Sequence, residues 1–116
     1  MYSVTNDKAT VLDLPKRTVR VFVGAQAYKS QHITMGKTVV EPHTYMDPHT
    51  HAEEEEIIFV TKGSGEAVVG GVTEPLSPDT AVVFPVGVEH VVRNTGDEPL
   101  EFVFMFNPTF NFGGLV

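Results

Sequence analysis

The chain of 116 residues has no cysteine, which excludes disulfides and removes thiolate from any metal site. Basic residues are scarce. Eight Lys and Arg stand against fifteen Asp and Glu, giving a formal charge of −7 and a pI near 5.0. That balance argues against nucleic acid and against an anionic membrane as partners. No apolar run approaches membrane-spanning length, and the opening residues Met1-Tyr2-Ser3-Val4-Thr5-Asn6-Asp7-Lys8 lack the apolar stretch of a signal peptide. The expected location is therefore the cytoplasm. Helical periodicity is also missing, so little helix is expected. Gly63-Ser64-Gly65 lacks the lysine and following helix of a phosphate loop, and no serine sits in a recognisable nucleophile setting.

What is present is a series of short apolar runs rich in Val, Ile and Phe, punctuated by Gly, Pro, Asn and Asp. They predict strands near 19–23, 37–41, 56–61, 66–69, 81–84, 89–93 and 100–106, with turns at Gly63-Ser64-Gly65, Gly70-Gly71, Ser77-Pro78-Asp79 and Asn94-Thr95-Gly96-Asp97. Many short strands at this spacing predict an all-β barrel or sandwich. With no repeat or linker, residues 1–116 read as a single domain, with 1–18 as an N-terminal arm or edge segment.

Alternation within strands assigns faces. Leu100, Phe102, Phe104 and Phe106 share one side of the last strand, and Glu101 marks the other as outer. Glu56, Ile58 and Val60 form the inward set of the middle strand. Ile57 and Phe59 then point outward although they are apolar, and a strand apolar on both faces needs cover on both. Either the N-terminal segment or a second subunit supplies it, and a symmetric homodimer is expected.

The most informative stretch runs His49-Thr50-His51-Ala52-Glu53-Glu54-Glu55-Glu56. His49 and His51, two residues apart, fall on one face of an extended strand. Glu56 follows five residues later, and Pro85-Val86-Gly87-Val88-Glu89-His90 adds a third histidine after a turn. Three imidazoles and a carboxylate point to a first-row divalent metal, with Fe, Mn, Ni, Zn and Cu all compatible with nitrogen and oxygen donors. Glu53, Glu54 and Glu55 read as a solvated acidic face, and Glu55 is the alternative carboxylate if the register slips. His32 reads as exposed, and His43 as a turn residue.

The pattern HxHxxxxE, six further residues and a glycine (Gly63), followed by PxGxxHxxxN from Pro85 to Asn94, resembles the two motifs of the cupin superfamily. The chain resembles a single-domain small cupin of the conserved cupin 2 barrel type from about Val39 to Phe106. The resemblance implies a double-stranded β-helix (jelly-roll-like) barrel holding one divalent transition metal on His49, His51, Glu56 and His90. Gly63, Pro85, Gly87 and Asn94 take the structural positions. Two positions depart from the motifs: His43 and Asp79 stand where glycines serve turns of positive φ, a region that both residue types tolerate.

The expected function is binding of a small oxygenated molecule at the metal. A dioxygenase-type oxidoreductase leads, ahead of a metal-dependent isomerase, decarboxylase or lyase, or a non-catalytic ligand- or metal-binding module. No general acid or base beyond the ligands stands out. Ile58, Phe102, Phe104 and Tyr45 are the candidate pocket residues, and the inward phenylalanines predict an apolar cavity with few fixed charges.

Overall fold

The computed structural model describes residues 2–25 and 27–112. Ten strands form in chain order: β1 Thr10–Leu14, β2 Arg17–Val23, β3 Thr34–Val40, β4 Thr44–Tyr45, β5 Glu55–Lys62, β6 Gly65–Val69, β7 Val72–Leu76, β8 Ala81–Phe84, β9 His90–Asn94 and β10 Leu100–Asn107. Among the described residues the one helical element is a 3-10 turn at Asn6–Lys8. Six strands make one antiparallel sheet in the order β1-β2-β3-β10-β5-β8, and four make the other in the order β4-β9-β6-β7. The fold is an all-β, jelly-roll-like barrel.

Period-two burial explains the packing. β10 alternates cleanly, with Leu100, Phe102, Phe104 and Phe106 buried and Glu101, Val103 and Met105 turned out. Beside it, β5 buries Glu56, Ile58 and Val60, and β2 buries Val19 and Val21. Each inward phenylalanine contributes about 1.5–3 kcal/mol by leaving water. Gly36 of β3 makes this packing possible: a Cβ there would lie 2.1 Å from the carbonyl oxygen of Arg20 and 2.7 Å from the Phe104 ring.

Three strands lie outside the runs predicted from sequence. β1 offers one buried apolar residue, Leu12, because it is a sheet edge. β4 has two residues. β7 contains Pro75, which ordinarily argues against a strand, but β7 is the edge of its sheet, where a missing N–H is tolerated.

Asn94 ties the two sheets together. Fully buried at the end of β9, it donates through Nδ2 to the carbonyls of Val40 (3.1 Å) and Glu98 (2.8 Å), and its Oδ1 accepts from the Gly96 amide at 3.0 Å. Both departures from the motif glycines sit in the left-handed region, His43 at φ 52° and Asp79 at φ 68°.

Candidate metal centre

Four side chains from three places in the chain converge at one point, with His51, Glu56 and His90 buried inside the barrel and His49 exposed at its edge. Glu56 enters from β5, on the inward face because Ile58 and Val60 share its parity. His90 opens β9 after the turn in which Gly87 adopts φ 75°. His49 and His51 lie on the segment between β4 and β5, which runs antiparallel to β9. The amide of Met46 donates to the carbonyl of Val92 at 3.2 Å, and His49 and His90 exchange both backbone hydrogen bonds at 2.9 Å. The Gly87 amide donates to the carbonyl of His51 at 2.9 Å, fixing the second histidine.

One ligating atom from each of His49, His51, Glu56 and His90 lies within 4.8 Å of the others. The Nε2 atoms of His51 and His90 stand 3.3 and 3.5 Å from one Glu56 oxygen without a hydrogen bond to it. Both nitrogens are buried and have no hydrogen-bond partner. Unsatisfied buried polar atoms are rare and costly, and two such nitrogens beside a carboxylate are a donor set suited to a cation. The 3.3 and 3.5 Å spacings fall between the about 3.0 Å expected at a right angle and the about 4.2 Å expected for opposite positions around one ion with bonds of about 2.1 Å.

Two of the three imidazoles are set in the tautomer that a metal needs. Nδ1 of His90 donates to the carbonyl of Val88 at 3.1 Å, and Nδ1 of His49 to that of Asp47 at 3.2 Å. A carbonyl only accepts, so Nδ1 carries the proton and Nε2 keeps its lone pair. Burial lowers the pKa of His49, outweighing the backbone bond to Asp47, and so favours the neutral ring. Burial alone would raise the Glu56 pKa, but His51 and His90 together hold it below the usual carboxylate range. A neutral His49 beside an ionised Glu56 suits a divalent first-row ion.

The cluster lines a cavity of about 530 Å³ between the sheets, with Phe84, Phe102, Phe104, Phe106, Phe110 and Phe112 on its walls. Phe84 stacks on His90 (centroids 4.1 Å apart, 7° between planes), while Phe106 and Phe110 meet His51 edge to face at 5.1 and 4.8 Å. Phe110 and Phe112 come from the segment after β10, which folds back onto the barrel through mutual bonds between Thr34 and the backbone of Phe110. They continue the even-numbered phenylalanine series beyond Pro108, a signal that the proline obscured.

Of the pocket residues named from sequence, Phe102 and Phe104 lie on the cavity wall and the other two do not. Ile58 faces inward but is fully covered by the core, and Tyr45 is 61% exposed on β4, its ring beneath the Arg93 guanidinium at 5.7 Å. His43 pairs with Asp97 at 2.6 Å on the surface, and Glu55 is exposed, away from the three imidazoles. His32 is exposed. The expectation of few fixed charges needs correction, since Lys16, Arg17 and Asp47 also line the cavity.

Comparison with known proteins agrees with this architecture. A family model described as a cupin domain matches residues 36–106. A curated relative, the polyketide synthase CurC of Streptomyces cyaneus, is 34% identical over 74 residues, covering 64% of this chain and 48% of that protein. The chain thus spans about half the length of that relative. Among solved structures, KdgF from Halomonas sp. superposes with a TM-score of 0.81 at 20% identity, covering 96% of both chains. The polyketide cyclase RemF from Streptomyces resistomycificus does so with a TM-score of 0.78 at 21% identity, covering 92% of this chain and 79% of that one. The chain belongs to the cupin family.

Proposed function

We propose that this cupin is a metal-dependent enzyme acting on a small oxygenated organic molecule, with His49, His51, Glu56 and His90 holding one divalent transition metal. The observation that carries the reading is the pair of orphaned, buried Nε2 atoms directed with Glu56 at one point on the wall of a phenylalanine-lined cavity. When bound, such a metal polarises a substrate oxygen or, if redox-active, exchanges electrons with dioxygen. The chain's own residues do the rest. The phenylalanines exclude water and favour a partly apolar substrate. Val88 and Asp47 hold the imidazole tautomers through their carbonyls.

Dioxygenase-type oxidation is the leading reaction class, because a substrate and dioxygen can share the positions that four protein ligands leave free on a six-coordinate ion. Metal-dependent isomerisation, decarboxylation or lyase chemistry is the second reading. The names of CurC and RemF, both tied to polyketides, favour this second class through substrates rich in carbonyls. Elemental analysis of protein purified without added metal, followed by oxygen-uptake assays with β-dicarbonyl substrates, tests the assignment. Iron with substrate-dependent oxygen uptake supports oxidation. Turnover without oxygen supports the second reading. Metal-free protein that takes up none of the five candidate ions refutes both.

The same proposal includes a cytoplasmic location and a homodimer. Ile57, Val83 and Met105 adjoin in register on the outer sheet face, with Phe59 beside them, and Phe59, Val83 and Met105 are 42%, 47% and 43% exposed. Sedimentation of a Phe59→Asp variant as a monomer, against a dimeric parent, is the expected result.

A further inference from the structure

Arg17 begins β2 with the same parity as Val19 and Val21, which are 2% and 0% exposed. Alternation therefore turns Arg17 inward, where it lines the cavity. Arg20, of opposite parity, turns out and donates to the Asn6 carbonyl at 3.1 Å. One Arg17 nitrogen donates to the Pro15 carbonyl at 3.2 Å, and no carboxylate among the described residues comes within 4.0 Å of the guanidinium. Burial lowers the proton affinity of this cation, partly offset by the charge of Asp47. The group nevertheless remains charged at neutral pH. A half-buried cation with most of its N–H donors uncommitted is relieved by an anion that accepts from them.

Register places this cation relative to the metal-binding cluster. Arg17 pairs with Val40, which pairs with Leu100 on β10, whereas Glu56 pairs with Phe106 at the other end of β10. The six residues between these levels correspond to about 20 Å of strand, and Phe102 and Phe104 line the wall between them. The backbone of Arg17 and the ligand cluster thus sit at different levels of the barrel with aromatic faces between, and Asp47, whose carbonyl binds the His49 ring, shares the cavity with the guanidinium.

We propose that Arg17 anchors a carboxylate of the substrate, so that the cavity takes an elongated, planar organic acid rather than a compact neutral diketone. The proposal rests on the functional reading above in treating this cavity as the substrate site, but the contact with Arg17 needs no metal.

The test uses 2-naphthoate and its neutral counterpart 2-acetylnaphthalene as probes, titrated calorimetrically into zinc-loaded and chelator-treated protein. Naphthoate is expected to bind at least about tenfold more tightly in both forms. Arg17→Gln should abolish that preference while leaving the ketone's affinity unchanged. Arg17→Lys should retain part of it, and Arg20→Gln all of it. Equal binding of the two probes, no naphthoate binding at millimolar concentration, or a preference that survives Arg17→Gln overturns the proposal. A preference seen only with zinc and indifferent to Arg17 overturns it while sustaining the metal centre. A preference that depends on Arg17 in protein that takes up no metal sustains it and removes the metal centre.

Discussion

Metal addition should stabilise the fold by an amount that follows from the two orphaned nitrogens. Leaving a buried polar atom unsatisfied costs about 1–3 kcal/mol, so occupying His51 Nε2 and His90 Nε2 together should return about 2–6 kcal/mol. Binding linkage reaches the same range: an ion at a thousand times its dissociation constant stabilises by about 4.1 kcal/mol. At about 4 °C per kcal/mol for a domain of this size, the melting temperature of chelator-treated protein should rise by about 8–24 °C when the fitting ion is supplied. Differential scanning calorimetry across Fe, Mn, Ni, Zn and Cu measures it. His90→Ala should abolish the rise, whereas Glu53→Ala, on the exposed acidic face, should leave it intact. If none of the five ions shifts the transition, or if His90→Ala responds as the parent does, the convergent nitrogens are not a metal site.

Asn94→Asp replaces two donated hydrogen bonds with repulsion between a carboxylate and the carbonyls of Val40 and Glu98, and should cost about 2–6 kcal/mol in urea denaturation. A change below about 1 kcal/mol would show that the two sheets are held by other means. Gly36→Ala forces a Cβ against the Arg20 carbonyl and the Phe104 ring, and an overpacking loss of about 1–3 kcal/mol should follow in the same assay. Metal-free protein should lose stability on acidification in two stages. The lowered pKa of His49 gives a contribution that is full above about 6.5 and lost as pH falls through the folded-state value. The lowered pKa of Glu56 gives one that is full above its ordinary 4.5 and lost below. Chemical denaturation of the chelator-treated protein between pH 8 and about pH 2.5 should show a plateau and then a decline, and a midpoint that rises on acidification would contradict both shifts.

Strands carrying alternating apolar residues are legible in the sequence because their burial is one-sided. β10 is the clearest case, its phenylalanines inward and Glu101 outward, and β5 follows through Glu56 and Ile58. The convergent ligand cluster was legible for a different reason. The spacing of His49, His51, Glu56 and His90 matches a known pattern that encodes the folded arrangement. Edge strands were not legible: β1 buries one residue, and β7 carries Pro75. Nor was the charged end of the cavity. Arg17 lies two residues ahead of the predicted strand at 19–23, and extending that strand backward by its own parity would have turned the guanidinium inward. Tyr45 misled because polarity near a ligand segment says nothing about direction, and here the ring packs with Arg93 at the surface.

The ligands are divided between two kinds of backbone. Glu56 and His90 belong to β5 and β9, whereas His49 and His51 hang on a segment joined to β9 by the bridge between His49 and His90. An ion on all four therefore cross-links an irregular stretch to the sheets, shortening the free loop between β4 and β5. Backbone bonds from the amides of Met46, His49 and Gly87 already join that stretch to its neighbours, and an ion would reinforce them through four side chains. Amide hydrogen exchange should accordingly slow at those three positions on loading, far more than in the centre of β10.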